Sequence, residues 1–327
     1  MNKLKGIHHV TAITSSAEKI YAFFTFILGL RLVKKTINQD DINTYHLFFA
    51  DDVGSPGTDV TFFDFQGINK HEKGTDEISR IGLRVKSDEA IDYWIKRFDF
   101  YKVHYQEKVL FDRKTIFFED FDGQEYALIS DQNIKGVAGG VPWKKGPVPD
   151  EYAIIGLGPI FLRIRDIDKI DLVLTSYLGM MSIKKNGNLT LYEMGQGGNG
   201  ASVIVEESNL SRSWQGYGGV HHVAFRIEDE EELYDWINHL NKIKARHSGF
   251  VDRFYFKSLY TRLYPNILFE FATEGPGFID DQEEYEFLGE KLALPPKFRN
   301  KREEIEKIVR PINTVRSNLD IKKEVLS

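Results

Sequence analysis

The chain has 327 residues, 42% of them hydrophobic and 28% charged, with 24 Phe and 15 Tyr, which suits about two soluble globular domains rather than a disordered or fibrous chain. Its formal charge of −6 comes without a basic patch, excluding nucleic acid as a partner, and no apolar run reaches the ~18 residues of a membrane span, excluding a membrane. The lack of cysteine removes disulfides, thiolate metal sites and cysteine nucleophiles together, so any metal falls to His and carboxylate ligands; with no signal-peptide pattern, a cytoplasmic enzyme is expected.

From Gly6 the chain reads as a short strand, then a helix from about Ser16 to Leu28 closed by Leu28-Gly29-Leu30, where glycine suits the left-handed position past a helix end. Strands follow over Arg31 to Ile37, Thr44 to Ala50 and Thr58 to Phe65, divided by Asn, Asp, Gly and Pro turn signals. This βαβββ unit recurs three times. Ile78 to Ser130 opens on Arg80-Ile81-Gly82-Leu83-Arg84-Val85 and carries a helix around Asp88 to Arg97; Gly158 to Glu206 echoes the first unit in Leu178-Gly179-Met180; Val220 to Thr273 has its helix near Asp229 to Lys244.

A Gly/Pro-rich stretch, Gly136 to Asp150, parts the second unit from the third. The expected organisation is an N-terminal domain over 1–135, a linker over 136–150, a C-terminal domain over 151–274 and a helical tail over 275–327. The fold class is α+β: each βαβββ module is too small to cover its own sheet, so the four should pair into curved sheets that enclose a cup. In the tail, Asp281 to Leu292 and Lys297 to Val309 read as helices, the second stopped by Pro311. They would brace one domain or contact a second subunit of a homo-oligomer.

The opening strands of the first and fourth modules are spelled almost alike, Gly6-Ile7-His8-His9-Val10 and Gly219-Val220-His221-His222-Val223. Aligning all four puts His9, Arg80, Pro159 and His222 at one equivalent position. Glu270 lies in Ile267-Leu268-Phe269-Glu270-Phe271-Ala272, where burying its charge is costly unless something positive pairs with it. Two histidines and one carboxylate form a metal-ligand set with coordination positions left open. Because ligands must converge within ~2.0 to 2.2 Å of one point, modules one and four are expected to share one cup, and modules two and three another.

Strand alternation lets only one histidine of each doublet face the cup. Plainer readings stand beside the metal: a His-His pair can be strand packing, Tyr260 and Tyr255 can be half-buried strand tyrosines, and His46 reads as a core histidine. Gly195 to Gly200 is taken as a hairpin turn, since no Lys-Ser/Thr follows it.

At this point the chain resembles the two-domain, ring-cleaving dioxygenase branch of the glyoxalase, or vicinal-oxygen-chelate, superfamily, especially the hydroquinone-type dioxygenases of bacteria. The resemblance runs from Gly6 to Phe278 and includes Leu28-Gly29-Leu30-Arg31-Leu32, Pro56-Gly57-Thr58, Asp252-Arg253-Phe254-Tyr255-Phe256 and Phe269-Glu270-Phe271-Ala272-Thr273-Glu274-Gly275-Pro276-Gly277-Phe278. It implies Fe(II), with Mn(II) or another divalent metal in some members, held by His9, His222 and Glu270. The two histidines are preferred to their neighbours because Val10 and Val223 match the family's His-Val step.

The resemblance also implies O2 as co-substrate, a small aromatic diol or quinol as substrate, and a hydrogen bond to that substrate from Tyr260. Arg262, two residues on, should face the same way. The chain departs from the family in having no histidine between Val251 and Arg253, which leaves His247 and Tyr255 as the nearest acid-base candidates. Leu263-Tyr264-Pro265-Asn266 also replaces the usual Glu-Pro-Gly turn. A metal-dependent ring-cleaving dioxygenase is therefore expected; a redox-neutral lyase, isomerase or thiol transferase, or a non-catalytic aromatic-binding protein, are the alternatives on the same scaffold.

Overall fold

The computed structural model describes residues 3–279 and 283–326. Four helices accompany the four modules: α1 (Ala17–Ala22), α2 (Asp88–Tyr101), α3 (Ile167–Leu172) and α4 (Glu230–Lys242). All begin alike, because Ser16, Ser87, Asp166 and Asp229 each accept a hydrogen bond from the backbone N–H three residues on, satisfying a donor that the first turn leaves open. The first and third differ from the expected continuous α-helix. They widen into π-helical turns at Phe23–Ile27 and Val173–Tyr177 before Gly29 and Gly179, whose φ values of +70° and +71° turn the chain into the next strand.

The first module supplies β1 (Ile7–Ile13), β2 (Arg31–Ile37), β3 (Tyr45–Ala50) and β4 (Asp59–Phe63); the second β5 (Glu77–Val85), β6 (Tyr105–Leu110), β7 (Arg113–Glu119) and β8 (Glu125–Ser130). From the third come β9 (Ile154–Ile164), β10 (Met181–Asn186), β11 (Leu189–Glu193) and β12 (Ser202–Glu207), and from the fourth β13 (Gly219–Ile227), β14 (Val251–Asp252), β15 (Phe256–Tyr264) and β16 (Ile267–Pro276). They form two eight-stranded sheets, in the orders β14-β15-β16-β13-β1-β4-β3-β2 and β10-β11-β12-β9-β5-β8-β7-β6. The first module thus joins the fourth and the second joins the third, each pair through antiparallel contact of opening strands, β1 with β13 and β5 with β9.

Alternation along each strand divides the apolar residues between two places. One set, including Val10, Ile81, Trp94, Ile160, Phe225 and Trp236, belongs to a single core that draws on both sheets and their helices. The other set lies on the opposite strand faces as two small clusters: Val33, Phe48, Ala224, Phe256 and neighbours in the first sheet, and Leu110, Phe111, Ala127, Phe161, Leu191 and Ile204 in the second.

The tail departs from expectation. Asp281 and Gln282 lie outside the described residues; beyond them the supposed acidic helix is one 3₁₀ turn, Tyr285–Phe287, and the second is a 3₁₀ turn, Pro296–Lys301, leading into α5 (Arg302–Ile308). Composition favoured helix there, but the edge of β2 needs partners for its backbone. Ala293 N donates to Lys35 O at 2.9 Å, and Arg316 Nη2 donates to Leu32 O at 2.8 Å. Further on, Glu324 accepts from Arg97 of α2 at 2.6 Å, so the tail ties β2 to the second module. Among the described residues no helix is long and apolar enough to cross a membrane.

Candidate metal centre

Glu270 sits on β16 opposite Ala224 of β13, and His222 lies two residues before Ala224 on the same face. Across the central seam His9 pairs with Ala224 and Thr11 with His222. Three side chains from far-apart positions therefore converge: Glu270 Oε2 is 2.9 Å from His222 Nε2 and 3.1 Å from His9 Nε2, and the two imidazole nitrogens are 3.3 Å apart. All three are buried, Glu270 completely.

The doublets do not obey simple alternation. The β1–β13 register shifts between Ile7 and His9, and His221 is skipped between the pairs Thr11–His222 and Ala12–Val220. These irregularities bring each doublet's rings edge to edge, with Nδ1 of His8 2.9 Å from Nδ1 of His9, and Nδ1 of His221 2.8 Å from Nδ1 of His222. In the second doublet both rings line the cavity, against the expectation that only one can face it; in the first only His9 does, as alternation predicts.

The contacts also order the protons on the first pair. His8 Nε2 lies 3.1 Å from the Thr273 carbonyl, which can only accept, so His8 carries its hydrogen there and its Nδ1 accepts from His9. His9 Nε2 is the nitrogen that faces Glu270. Burial, reinforced by His9, lowers the His8 pKa to about 3, and burial with His222 lowers that of His221 to about 3; both stay neutral.

Burial alone would raise the Glu270 pKa, but His9 and His222 beside it hold the carboxyl well below its ordinary range. Its Oε1 accepts from Ser258 Oγ at 2.5 Å, while Oε2, though close to both imidazoles, makes no aligned hydrogen bond among the described residues. A carboxylate oxygen and two imidazole nitrogens crowded within 3.3 Å in a buried place match the donors of a divalent-cation site. The donor set therefore fits a divalent metal.

A cavity of about 440 Å³ opens from His9 and His222, walled by Phe48, Phe63, Phe65, Tyr255, Phe256 and Tyr260 among others. Tyr260 pairs with Glu270 across β15 and β16, and its hydroxyl accepts from Arg253 Nε at 3.0 Å. Burial, with Glu270 adding, raises the pKa of that hydroxyl and keeps it protonated. Tyr255 lines the cavity, but Arg262 does not: it is exposed, donates to Asn266 O at 3.3 Å and lines a separate groove. His247 is likewise outside, bonded to Asn241 and to the backbone of Gly249.

Several residues had escaped the sequence reading. Arg253 reaches the cavity from beyond β14 and also pairs with Asp40 at 2.9 Å, joining the two edges of the sheet. His46, read as a core histidine, is instead on the cavity wall, its Nε2 2.9 Å from Thr61 Oγ1. Thr61 contacts Thr11 at 2.7 Å, and Thr11 contacts His222 Nε2 at 3.0 Å, so a polar chain spans β3, β4, β1 and β13. Asp252-Arg253 inside the resembling stretch was the one available signal for Arg253; the threonines carried none.

A search of family models gives no match. The chain is 42% identical to the ring-cleaving dioxygenase MhqA of Bacillus subtilis (strain 168) over 317 residues, 95% of this chain and 99% of that one. It is 28% identical to the chlorohydroquinone/hydroquinone 1,2-dioxygenase of Sphingobium indicum, covering 93% and 95% of the two chains. Among solved structures, a dioxygenase from Bacillus subtilis superposes with a TM-score of 0.89 at 32% identity, over 96% of this chain and 99% of that one. Glyoxalase I from Zea mays, at 13% identity and a TM-score of 0.59 over 84% and 93%, shares the fold. The chain belongs to the ring-cleaving dioxygenases, oxidoreductases that incorporate O2, and has the fold of glyoxalase I.

Proposed function

We propose that the enzyme cleaves a dihydroxylated aromatic ring of the hydroquinone or catechol type with O2, using Fe(II) held by His9, His222 and Glu270. The observation that carries this reading is the convergence of two imidazole nitrogens and one buried carboxylate oxygen at the floor of an aromatic-walled cavity. Fe(II), for which Mn(II) or another divalent ion could substitute in such a ligand set, would supply open positions for a diol oxygen and O2 and a path for electrons between them. The relative from Sphingobium indicum, named for hydroquinone and chlorohydroquinone, supports the substrate class.

The protein's own part is positioning. His8 and His221 hold the ligand rings by their Nδ1 atoms, so each ligand presents Nε2 to the metal. Phe48, Phe63 and Phe256 offer faces to a planar ring and exclude water. Tyr260, protonated and oriented by Arg253, donates its hydrogen to a substrate oxygen. Arg253, rather than Arg262, stands beside Tyr260 in the cavity, and Tyr255 serves as wall.

The test is anaerobic reconstitution with Fe(II), followed by admission of air with hydroquinones and catechols while oxygen uptake and products are measured. One O2 consumed per ring opened is expected. Product formed without oxygen uptake, or metal-loaded protein inert towards every diol, would overturn the proposal.

A further inference from the structure

We infer that His46 is a positioning residue: through Thr61 it turns the Thr11 hydroxyl so that its hydrogen points at the place where His9, His222 and Glu270 converge. This rests on the reading of that place as a metal site that takes a deprotonated diol oxygen. The side chains touch in series, His46 Nε2 2.9 Å from Thr61 Oγ1, Thr61 Oγ1 2.7 Å from Thr11 Oγ1, and Thr11 Oγ1 3.0 Å from His222 Nε2. Strand register fixes the series: Thr61 pairs with Thr11 and Thr11 with His222, while His46 pairs with Phe63 and so stands diagonal to Thr61. The His46 ring is held in place by its neighbours, its centroid lying 4.0 Å from that of Phe48 and 4.5 Å from that of Phe63.

A hydroxyl has one hydrogen, so each link in such a chain commits the next. In the proposed ligand set each imidazole gives the lone pair of Nε2, Glu270 is a carboxylate, and a deprotonated diol oxygen only accepts. With no hydrogen to give at that end, the Thr11 hydroxyl donates into it and therefore accepts from Thr61. Thr61 in turn accepts from His46. Burial, with His9 and His222 adding, lowers the His46 pKa well below its ordinary value, so the ring carries one hydrogen, and the chain requires that hydrogen on Nε2. The other tautomer would reverse every link and turn a lone pair of Thr11 towards the anion.

The sheet places this donor opposite the one already described. Tyr260 pairs with Glu270 and Thr11 with His222, in the strand order β15-β16-β13-β1, so the two hydroxyls flank the ligands from opposite sides. Tyr260 takes its orientation from Arg253. Thr11 and Thr61 can each donate or accept, so neither sets a direction by itself; an imidazole held in one tautomer does. Hydrogen bonds to an anion in a buried place are stronger than those between neutral groups, which makes the direction worth fixing.

The experiment uses Zn(II)-loaded protein, which is redox-inert, with phenol as the probe. Nitrogen-15 NMR of the complex, with the His46 signals assigned by their loss in His46→Gln, should show the hydrogen on Nε2; a hydrogen on Nδ1, or an even mixture, overturns the inference. By calorimetry, Thr61→Val and His46→Phe should each weaken phenol roughly 10- to 100-fold, as for a hydrogen bond to a charged acceptor, with bound metal per chain held. The double variant should be no weaker than the worse single one, and His46→Gln, whose amide again offers an N–H donor, should regain most of the loss. Additive losses, or a His46→Gln protein as weak as His46→Phe, would show that these residues only pack the wall and would overturn the inference. If the wild type loads the metal but binds no phenol, the diol reading itself fails and takes this inference with it.

Discussion

The two eight-stranded sheets have the same strand order and the same antiparallel centre, yet among the described residues only the first gathers a set of side chains that could hold a metal. His9 pairs with Ala224 in the first sheet, and Arg80 pairs with Phe161 in the second, so the registers correspond. Where the first has His9 and His222, the second has Arg80 and Pro159. Opposite the residues two further along, the first has Thr61 and Glu270 and the second Ala127 and Ile204. Where the first cup has the His9, His222 and Glu270 cluster, the second holds an apolar cluster around Phe161 and Ile204, and the Arg80 guanidinium 3.9 Å from the Phe117 ring and 3.1 Å from Glu125. A repeated frame can keep its backbone and lose its chemistry, because three buried donors without an ion are costlier than apolar filling.

The difference can be broken most severely at His222. His222→Ala should abolish metal retention and oxygen uptake together, measured as bound metal per chain and with an oxygen electrode; retention of both would remove the first sheet's distinction. Next in size is His8→Phe, which takes away the acceptor that holds His9 in its tautomer. Metal affinity should drop roughly 10- to 100-fold, read by competition with a chelator, and an unchanged affinity would show His8 to be mere packing.

A smaller effect belongs to the second sheet. Asp120, in the β7–β8 turn, has its pKa pushed up to about 7, mostly by burial, with Asp122 adding and the Tyr126 hydroxyl opposing. A carboxyl whose folded pKa exceeds its unfolded value of about 3.9 destabilises the fold as it ionises, so stability should fall as pH rises from about 4 through 7. Asp120→Asn should flatten that fall by about 2 kcal/mol, seen in urea titrations at pH 5 and pH 8; parallel curves for the two proteins would contradict it.

The smallest expected change is for Arg80→Met. Arg163 still reaches Glu125 and Glu77, so stability should drop by only about 1 kcal/mol, while metal content and activity hold. A loss of metal would show that the second cup supports the first.

The modules, their pairing and the three side chains that converge were legible because each is written in residue type: a capped helix, a Leu-Gly step, a polar residue interrupting an apolar run. The bulges were not, since a shifted register is a property of two strands together and neither His8 nor His221 announces it. Arg262 was placed by alternation from Tyr260, but β15 loses regular pairing between Thr261 and Tyr264, and the arginine ends in solvent. Arg253 reaches the cavity through a long side chain beyond β14, beyond what spacing can indicate. The tail read as helix because its charges suit one, whereas an unpaired strand edge elsewhere in the chain claimed its backbone.

The pairing of the first module with the last has a consequence for synthesis. A growing polypeptide offers His9 early, but the acidic ligand at position 270 arrives only when most of the sequence has left the ribosome. An unfinished or prematurely terminated product therefore cannot assemble the cluster of two imidazoles and one carboxylate; the site waits for the fold to close.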